Sequence, residues 1–266
     1  MPDKLERTWH WGPPVARTWR LHPRSQAFAL FSCKMAGACF KLVGNAGYRS
    51  FRNVWMLEEL QVAYDYVPAT PHSAEANAAN PFGKIPSLVH GDFVMYESVA
   101  INTYLGDVLR GQGSALAAQL VPAPGTPARG LYDQVTCCLL SEMDAQALWI
   151  HRKHEALGHL PHFGAIPEAV AHARGHFDRV IRVQAAELEA RGGTDGYILG
   201  AQFSAADVLL VHCLNWAEAI GWGAAWQEGA SGDGECRCEL PSIAQYLLRC
   251  RARPAYLRAT ARKEGG

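Results

Sequence analysis

The chain has 266 residues and a mass of 29.1 kDa, which exceeds one average domain and favours two modest domains. Apolar residues make up 49% of the chain, and lysine plus arginine balance aspartate plus glutamate at 25 each. This balance argues against nucleic acid or an anionic membrane as the main partner, because both usually require a basic face. No apolar run approaches the roughly 20 residues of a membrane span, so we expect a soluble protein.

The eight cysteines do not form the pattern of a disulfide framework. Most of them stand inside apolar helical patterns, in a chain too long to need such cross-links. Cys236 and Cys238 lie near histidines, but no second pair stands at zinc-ligand spacing, so we expect no metal site. A reduced, cytoplasmic protein fits this usage best.

Residues 1–38 differ from the rest of the chain and are treated as an N-terminal extension. They show no helical or alternating period, and their arginines outnumber their acidic residues. An organelle-targeting peptide has this composition. The interpretation that we favour is an appendage or an early start codon, with Met35 beginning the functional chain.

From Cys39 the pattern becomes that of alternating strands and helices. It predicts, in order, a strand over 39–43, a helix over 51–60, a strand over 62–67, a hairpin formed by 87–89 and 93–96, and a helix that begins at Ser98. The first three elements suggest a parallel βαβ unit. Residues 39–110 are therefore expected to form an α/β domain of the order βαβ-ββα.

Beyond residue 110 the pattern is helical. Residues 111–126 are rich in glycine, alanine and proline and are predicted to be a linker, and 127–262 an all-helical domain. The stretch 205–219 is apolar almost all round, which places it at the centre of a helical bundle. Residues 221–239 contain five glycines and are expected to form a surface loop before two short final helices.

Pro86 stands immediately before a predicted strand, in the sequence Gly83-Lys84-Ile85-Pro86. If the Ile85–Pro86 bond is cis, Ile85 turns its N–H and C=O outward, where an extended peptide could pair with them. The alternative is an ordinary proline at the entry to a strand.

Glu97 and Ser98 follow eleven residues after Pro86, with one hairpin between them. Ser98 at a helix N-terminus offers a hydroxyl and backbone N–H groups to an anion, and Glu97 can take an ammonium group. Together they suit a zwitterionic amino-acid head group. The alternative is a plain N-cap preceded by a surface acid.

The sequence Asn80-Pro81-Phe82-Gly83-Lys84-Ile85-Pro86, followed by Glu97-Ser98, resembles the glutathione site of the cytosolic glutathione transferases. The resemblance implies a thioredoxin-like domain at 39–110 and that family's helical domain at 127–262. A Ser-x-x-Asp capping box at Ser204 to Asp207 is similar to one that opens the family's central C-terminal helix, and we assign it a structural role.

By this resemblance, Ile85 and Pro86 pair with the cysteinyl backbone of glutathione, and Glu97 and Ser98 hold its γ-glutamyl end. Lys84 and, less directly, His72 stand where the family places cations for the glycine carboxylate. Glutathione is then a co-substrate and no cofactor is bound permanently. A homodimer is expected by analogy alone.

The hydroxyl that stabilises the glutathione thiolate falls, by the same resemblance, in the stretch 47–52. Tyr48 occupies the position of the active residue in serine-type and cysteine-type members, Ser50 is the other hydroxyl in range, and a third possibility is neither. No cysteine stands at 47–50, so omega-type thiol transfer is not expected, whereas conjugation, peroxide reduction and a lyase step stay open.

The second substrate, a small apolar electrophile or a peroxide, is expected between the two domains. Candidates for its pocket, chosen by position alone, are Tyr132, Trp149, His151 and Trp216. The run 151–154 is interpreted as a solvated helix end rather than a site. The alternative function is a non-catalytic binding or assembly module, as in elongation-factor and synthetase-associated proteins that resemble this family.

Overall fold

The computed structural model describes residues 40–193, 195–227 and 238–264, all within one compact unit of the chain. The proposed extension at 1–38, the start of the first strand at Cys39, the Cys236 thiol and most of the predicted loop at 221–239 lie outside the described residues. No helix in the described ranges is long and apolar enough to cross a membrane.

The first part of the described chain is a four-stranded mixed sheet with helices, as predicted. Its elements are β1 (Phe40–Gly44), α1 (Phe51–Leu60), β2 (Tyr64–Pro68), α2 (Ala74–Ala79), β3 (Ser87–His90), β4 (Phe93–Tyr96) and α3 (Ser98–Gly111). The strand order is β2-β1-β3-β4. Strand β1 runs parallel to β2 and antiparallel to β3, which brings the β1–α1 turn next to the segment that leads into β3.

Two short helices were not predicted. Ala74–Ala79 forms α2, capped by Ser73, and Ala115–Leu120 forms α4, capped by Ser114. The second of these lies inside the segment 111–126, which was predicted to be a linker. Its Ala117 and Leu120 are buried against the rest of the protein, so this segment packs rather than merely connects.

The remaining elements are all helical, as predicted. They are α5 (Pro127–Cys138), a first π-helical stretch (Leu139–Leu148), α6 (Trp149–His151), a second π-helical stretch (Arg152–Ala156), α7 (Pro167–Gly192), α8 (Ala205–Ala219), α9 (Pro241–Arg251) and α10 (Pro254–Glu264). Helix α8 has the predicted bounds. Stretches of π-helix often occur at functional sites.

The capping box at the start of α8 is present and buried. The carboxylate of Asp207 accepts hydrogen bonds from the backbone N–H of Ser204 at 2.8 Å, from that of Ile198 at 2.9 Å and from the hydroxyl of Tyr246 at 2.9 Å. These contacts tie α8 to the preceding turn and to α9, so this motif serves the architecture of the helical part.

Helix α1 joins the sheet to the helical part. Trp55 is fully buried on it, and its ring lies 5.4 Å from that of Phe203 and 4.9 Å from that of Tyr256. Because α1 is also the helix that follows the β1–α1 turn, this packing fixes the turn against the helical part.

Two local predictions in the helical part were wrong. The described start of the 221–239 segment is not wholly a surface loop, because Trp222 and Trp226 are buried and pack on Phe177, although Gly221, Ala224 and Gln227 are exposed. The run 151–154 is not a solvated helix end, because the ring of His151 is buried against Trp222 and Arg152 faces the cleft described below.

Candidate functional site

A cleft of about 920 Å³ opens between the sheet part and the helices. The predicted glutathione residues His72, Lys84, Ile85, Pro86, Glu97 and Ser98 all line it, together with Tyr48. The helical part contributes the opposite wall, which includes Asp144, Trp149, Arg152, His212 and Trp216. The fold thus brings together, in one site, six residues spread over a stretch from His72 to Ser98, which are 26 positions apart in the chain.

The segment before β3 carries a cis peptide bond between Ile85 and Pro86. The side chain of Asn80 holds this segment, since it donates to the carbonyl of Lys84 and accepts from the N–H of Phe82, both at 2.9 Å. Within the described residues, the N–H and C=O of Ile85 take part in no ladder or turn hydrogen bond. They are therefore available at the wall of the cleft.

Ser98 begins α3, and its hydroxyl is fixed from behind. The Oγ atom accepts a hydrogen bond from Nη1 of Arg52 at 3.2 Å, which leaves the hydroxyl proton free for a further acceptor. Glu97 precedes it with φ of +75°, and its carbonyl accepts from the N–H of Ile101 at 2.9 Å. The exposed carboxylate of Glu97 and the buried hydroxyl of Ser98 stand side by side at the cleft.

Arg52, which the sequence analysis missed, is almost completely buried at 1% exposure. Besides Ser98, its guanidinium contacts Asp144 of the first π-helical stretch, with Nη2 2.5 Å from Oδ2. The same Nη2 lies 3.1 Å from Nδ1 of His212 on α8. One side chain thus links α1, α3, α8 and the π-helical stretch behind the candidate glutathione site.

Arg49 completes the cluster around Asp144. Its guanidinium makes a two-point contact with the carboxylate, through Nε at 3.0 Å and through Nη2. It also lies between two indole rings, 4.9 Å from the centre of Trp149 and 4.8 Å from that of Trp216. This stacking fixes the two tryptophans that line the helical wall of the cleft.

The charges of this cluster are set by its contacts. Burial alone would raise the pKa of Asp144, but the guanidinium groups of Arg52 and Arg49 outweigh it and hold that pKa well below its ordinary value. Burial, followed by the charge of Arg52, lowers the pKa of His212 well below its ordinary value. Asp144 is therefore an anion and His212 neutral at pH 7.

The tautomer of His212 follows from its partner. A guanidinium only donates hydrogen bonds, so Nδ1 of His212 must accept from Arg52, and the ring proton lies on Nε2. The backbone of Tyr48 interacts with this ring and favours its protonated form. His212 thus connects the Arg52 cluster to the turn that carries Tyr48.

The two candidate hydroxyls occupy different surroundings. Tyr48 is partly exposed and lines the cleft, where the guanidinium of Arg152 lies 5.7 Å from the centre of its ring. Ser50 is fully buried and does not line the cleft. Its Oγ packs against Gly44, where an added Cβ would stand only 2.3 Å away. The geometry favours Tyr48 over Ser50.

The candidates for the second pocket divide in the same way. Trp149 and Trp216 line the cleft. Tyr132 is buried elsewhere, where its hydroxyl is 2.9 Å from that of Thr103, and His151 packs on Trp222. Of the four residues predicted for the second pocket, two line the cleft and two are buried outside it.

Asp144 could have been suspected from the sequence. It stands four residues after Leu140 and four before Leu148, on the apolar side of a helical pattern. A carboxylate on such a face needs a cationic partner. Arg52, the only cation of the mostly apolar helix α1, is the corresponding signal for such a partner. Among the described residues, no cluster of three or more histidines, cysteines or carboxylates could hold a metal ion.

The family model described as the N-terminal domain of glutathione S-transferase matches residues 49–108, and the C-terminal domain model matches 165–233. Glutathione S-transferase 3 of Zea mays is 44% identical over 52 residues, which are 20% of this chain and 22% of the relative. The matched segment thus spans about a fifth of that curated relative.

Solved structures share the fold over most of the chain. Glutathione transferase F7 from Populus trichocarpa aligns with a TM-score of 0.66 at 18% identity, covering 84% of this chain and 99% of that one. The glutathione transferase URE2P8 from Phanerochaete chrysosporium, solved with oxidized glutathione, aligns with a TM-score of 0.64 at 21% identity and covers 86% and 96%. The two domain models, matched in order along this fold, support the assignment of the chain to the glutathione transferase family.

Proposed function

We propose that this protein is a glutathione transferase that binds glutathione in the cleft and activates its thiolate for attack on an electrophilic carbon or a peroxide oxygen. The observation that carries the proposal is the arrangement of Ile85, Glu97 and Ser98 around one cleft, with Tyr48 at its edge. The oxidized glutathione in the URE2P8 structure supports this ligand class for the fold.

Each end of glutathione has a matching group in the cleft. The free N–H and C=O of Ile85 suit the cysteinyl backbone, as an added strand would pair with a sheet edge. The Ser98 hydroxyl, held by Arg52, suits the γ-glutamyl carboxylate, and Glu97 suits the neighbouring ammonium group. Lys84 and His72, both exposed at the cleft, suit the glycine carboxylate.

Activation requires the thiolate rather than the thiol. A free thiol has a pKa of about 8.5, and lowering it by about two units requires roughly 2.7 kcal/mol of preferential stabilisation of the anion. The Tyr48 hydroxyl would donate a hydrogen bond to the sulfur, and the first turn of α1, which follows at Phe51, adds a positive potential. Ser50 remains the weaker candidate because it is buried.

Each of these reactions uses only glutathione, the second substrate and water. The thiol proton passes to solvent, and the thiolate forms a C–S bond with the electrophilic carbon. In a substitution the leaving group departs with its electron pair, and in an addition the carbon next to the attacked one takes a proton from water. With a peroxide, the first product is a sulfenic acid and an alcohol, and a second glutathione converts the sulfenic acid to a disulfide and water.

The homodimer and the cytoplasmic location expected from the sequence stay predictions. All five cysteines in the described part of the chain are free thiols, which is consistent with a reducing compartment. A dimer is checked directly by sedimentation, and the location by a tagged full-length chain.

The test of the proposed function is calorimetric titration of reduced glutathione into the wild type and into a Glu97→Ala, Ser98→Ala double variant. We expect binding to the wild type and none to the double variant. The matched control is a Ser141→Ala, Glu189→Ala double variant, whose two exposed sites lie outside the cleft and should leave binding unchanged. Equal affinity in the wild type and the Glu97, Ser98 variant would rule out this site. No binding to the wild type would favour the assembly-module alternative.

A further inference from the structure

We propose that the second substrate is an aromatic electrophile that carries an anionic group, and that Arg152 binds this group. The inference rests on the proposed function, because it names the substrate class of the same cleft. It differs from the small apolar electrophile or peroxide expected from the sequence.

The charge of the cleft is uneven once its internal pairs are counted. Asp144 is neutralised by Arg49 and Arg52, and Glu97 stands at the end assigned to the glutathione ammonium group. Among the described residues these are the only carboxylates that line the cleft. The helical wall then presents two further cations, Arg152 and Lys263, without an acidic counterpart.

Arg152 lies beside Tyr48, the residue proposed to stabilise the thiolate. It begins the second π-helical stretch, is partly exposed and lies over the ring of Tyr48 at 5.7 Å. No carboxylate in the described part of the chain forms an ion pair with it. A guanidinium matches a carboxylate or sulfonate through two parallel hydrogen bonds, which gives orientation as well as affinity.

The side chains around Arg152 indicate which kind of molecule could carry the anionic group. Trp149 and Trp216 both line the cleft and are held in place by Arg49 between them. Leu140, Leu160 and Phe163 add apolar surface to the same wall. Flat rings and an apolar lining favour an aromatic body, whose anionic substituent would point to Arg152.

In the proposed complex the Tyr48 hydroxyl binds the thiolate, and Arg152, beside the Tyr48 ring, binds the anionic group of the second substrate. Lys84 and His72 are occupied by the glycine carboxylate of glutathione in the proposed complex, so they do not compete for the second substrate. Lys263, near the end of α10, is exposed, and an exposed cation steers an anion into the cleft more than it binds it. Arg152 is thus the residue that sets specificity.

The test uses two chloronitroarenes of the same shape, 4-chloro-3,5-dinitrobenzoate and its neutral carboxamide. The enzyme joins the glutathione sulfur to the ring carbon and chloride leaves with its electron pair in both. For each, kcat/KM is divided by the uncatalysed rate, and the ratio of carboxylate to carboxamide measures the anion preference. It is measured in the wild type, in Arg152→Gln and in Lys153→Gln, a matched loss of one positive charge on the next residue, which does not line the cleft.

We expect the wild type to prefer the carboxylate, and Arg152→Gln to reduce that preference about tenfold or more, mainly through KM. Lys153→Gln should leave the ratio unchanged. An equal ratio in all three proteins, or an equal fall in both variants, overturns the inference while turnover of the carboxamide still supports the proposed function.

A second readout does not depend on glutathione. Calorimetric titration of 4-nitrobenzoate and 4-nitrobenzamide into the same three proteins should show tighter binding of the anion to the wild type and to Lys153→Gln only. If glutathione does not bind, the proposed function fails and this titration still decides whether Arg152 forms an anion site. No preference for 4-nitrobenzoate in the wild type overturns it.

Discussion

Nη2 of Arg52 lies 2.5 Å from Oδ2 of Asp144, although the two residues are 92 positions apart. The pair joins α1 to the first π-helical stretch and is buried on both sides, with side-chain exposures of 1% and 6%. Because Arg52 also holds the hydroxyl of Ser98, the interface between the two parts of the fold positions a residue of the candidate glutathione site.

Removing the charge of Asp144 should therefore destabilise the protein. Asp144→Asn leaves two guanidinium groups in the cluster without a counter-ion, and we expect a loss of about 3 kcal/mol in the free energy of unfolding. Urea denaturation measures it. Asp133→Asn is the control, since Asp133 is exposed and its ion pair with Arg129 should contribute less than about 1 kcal/mol. Equal losses in the two variants would show that the buried pair has no special role.

His212, which is partly buried beside Arg52, should make the stability of the protein depend on pH. Its folded pKa is lowered by burial and by Arg52, so the folded state does not take up the proton that the unfolded state binds below about pH 6.5. The contribution of neutral His212 to the free energy of unfolding is complete above that pH and is lost as the pH falls towards the folded pKa. When the pH falls from 7.5 to 5.5, this one residue should lower the free energy of unfolding by about 1.4 kcal/mol.

The variant that tests this is His212→Asn, whose side-chain oxygen can still accept from Arg52. Its free energy of unfolding should fall less between pH 7.5 and 5.5 than that of the wild type. His172→Asn, an exposed site on α7, should keep the full pH dependence. If His212→Asn and the wild type lose equal stability on acidification, His212 is not held neutral.

Several parts of the site could be predicted because they are local in the chain. The Ile85–Pro86 and Glu97–Ser98 segments each lie at the end of a strand or the start of a helix, and one hairpin joins them. The capping box at Ser204 is likewise complete within four residues. Short-range patterns of this kind fix their own backbone geometry, so the sequence is enough to identify them.

Other parts could not be predicted because they depend on packing between distant segments. In the sequence Arg52 and Asp144 are two unrelated charges, because their ion pair forms only where α1 packs on the first π-helical stretch. From the sequence, Arg152 was assigned to a solvated run and Trp222 to a surface loop. Only the packing of distant helices places Arg152 at the cleft and buries Trp222. Helix α2 is only six residues long, too short for its periodicity to be recognised.

Tyr48 should be required for activation of the thiol, whereas Ser50 should not. Tyr48→Phe removes the hydroxyl and keeps the ring, so the bound glutathione should retain its affinity within a few-fold while its thiol pKa rises by about one to two units. At pH 6.5 kcat/KM should then fall about tenfold or more. Ser50→Ala should change neither quantity, because the Ser50 hydroxyl is buried without a hydrogen-bond partner in the described part of the chain. The opposite result would exchange the roles of the two residues.

Whether this cleft binds glutathione as its thiolate is measured by the ultraviolet absorbance of the thiolate in the wild-type complex across pH. Glutathione concentration is set from the calorimetric titration so that the site is saturated. We expect a thiol pKa of about 6.5 in the complex, well below the value of about 8.5 for a free thiol. Saturable binding with a thiol pKa unchanged from that of free glutathione would contradict it, and would leave a protein that carries glutathione without activating it.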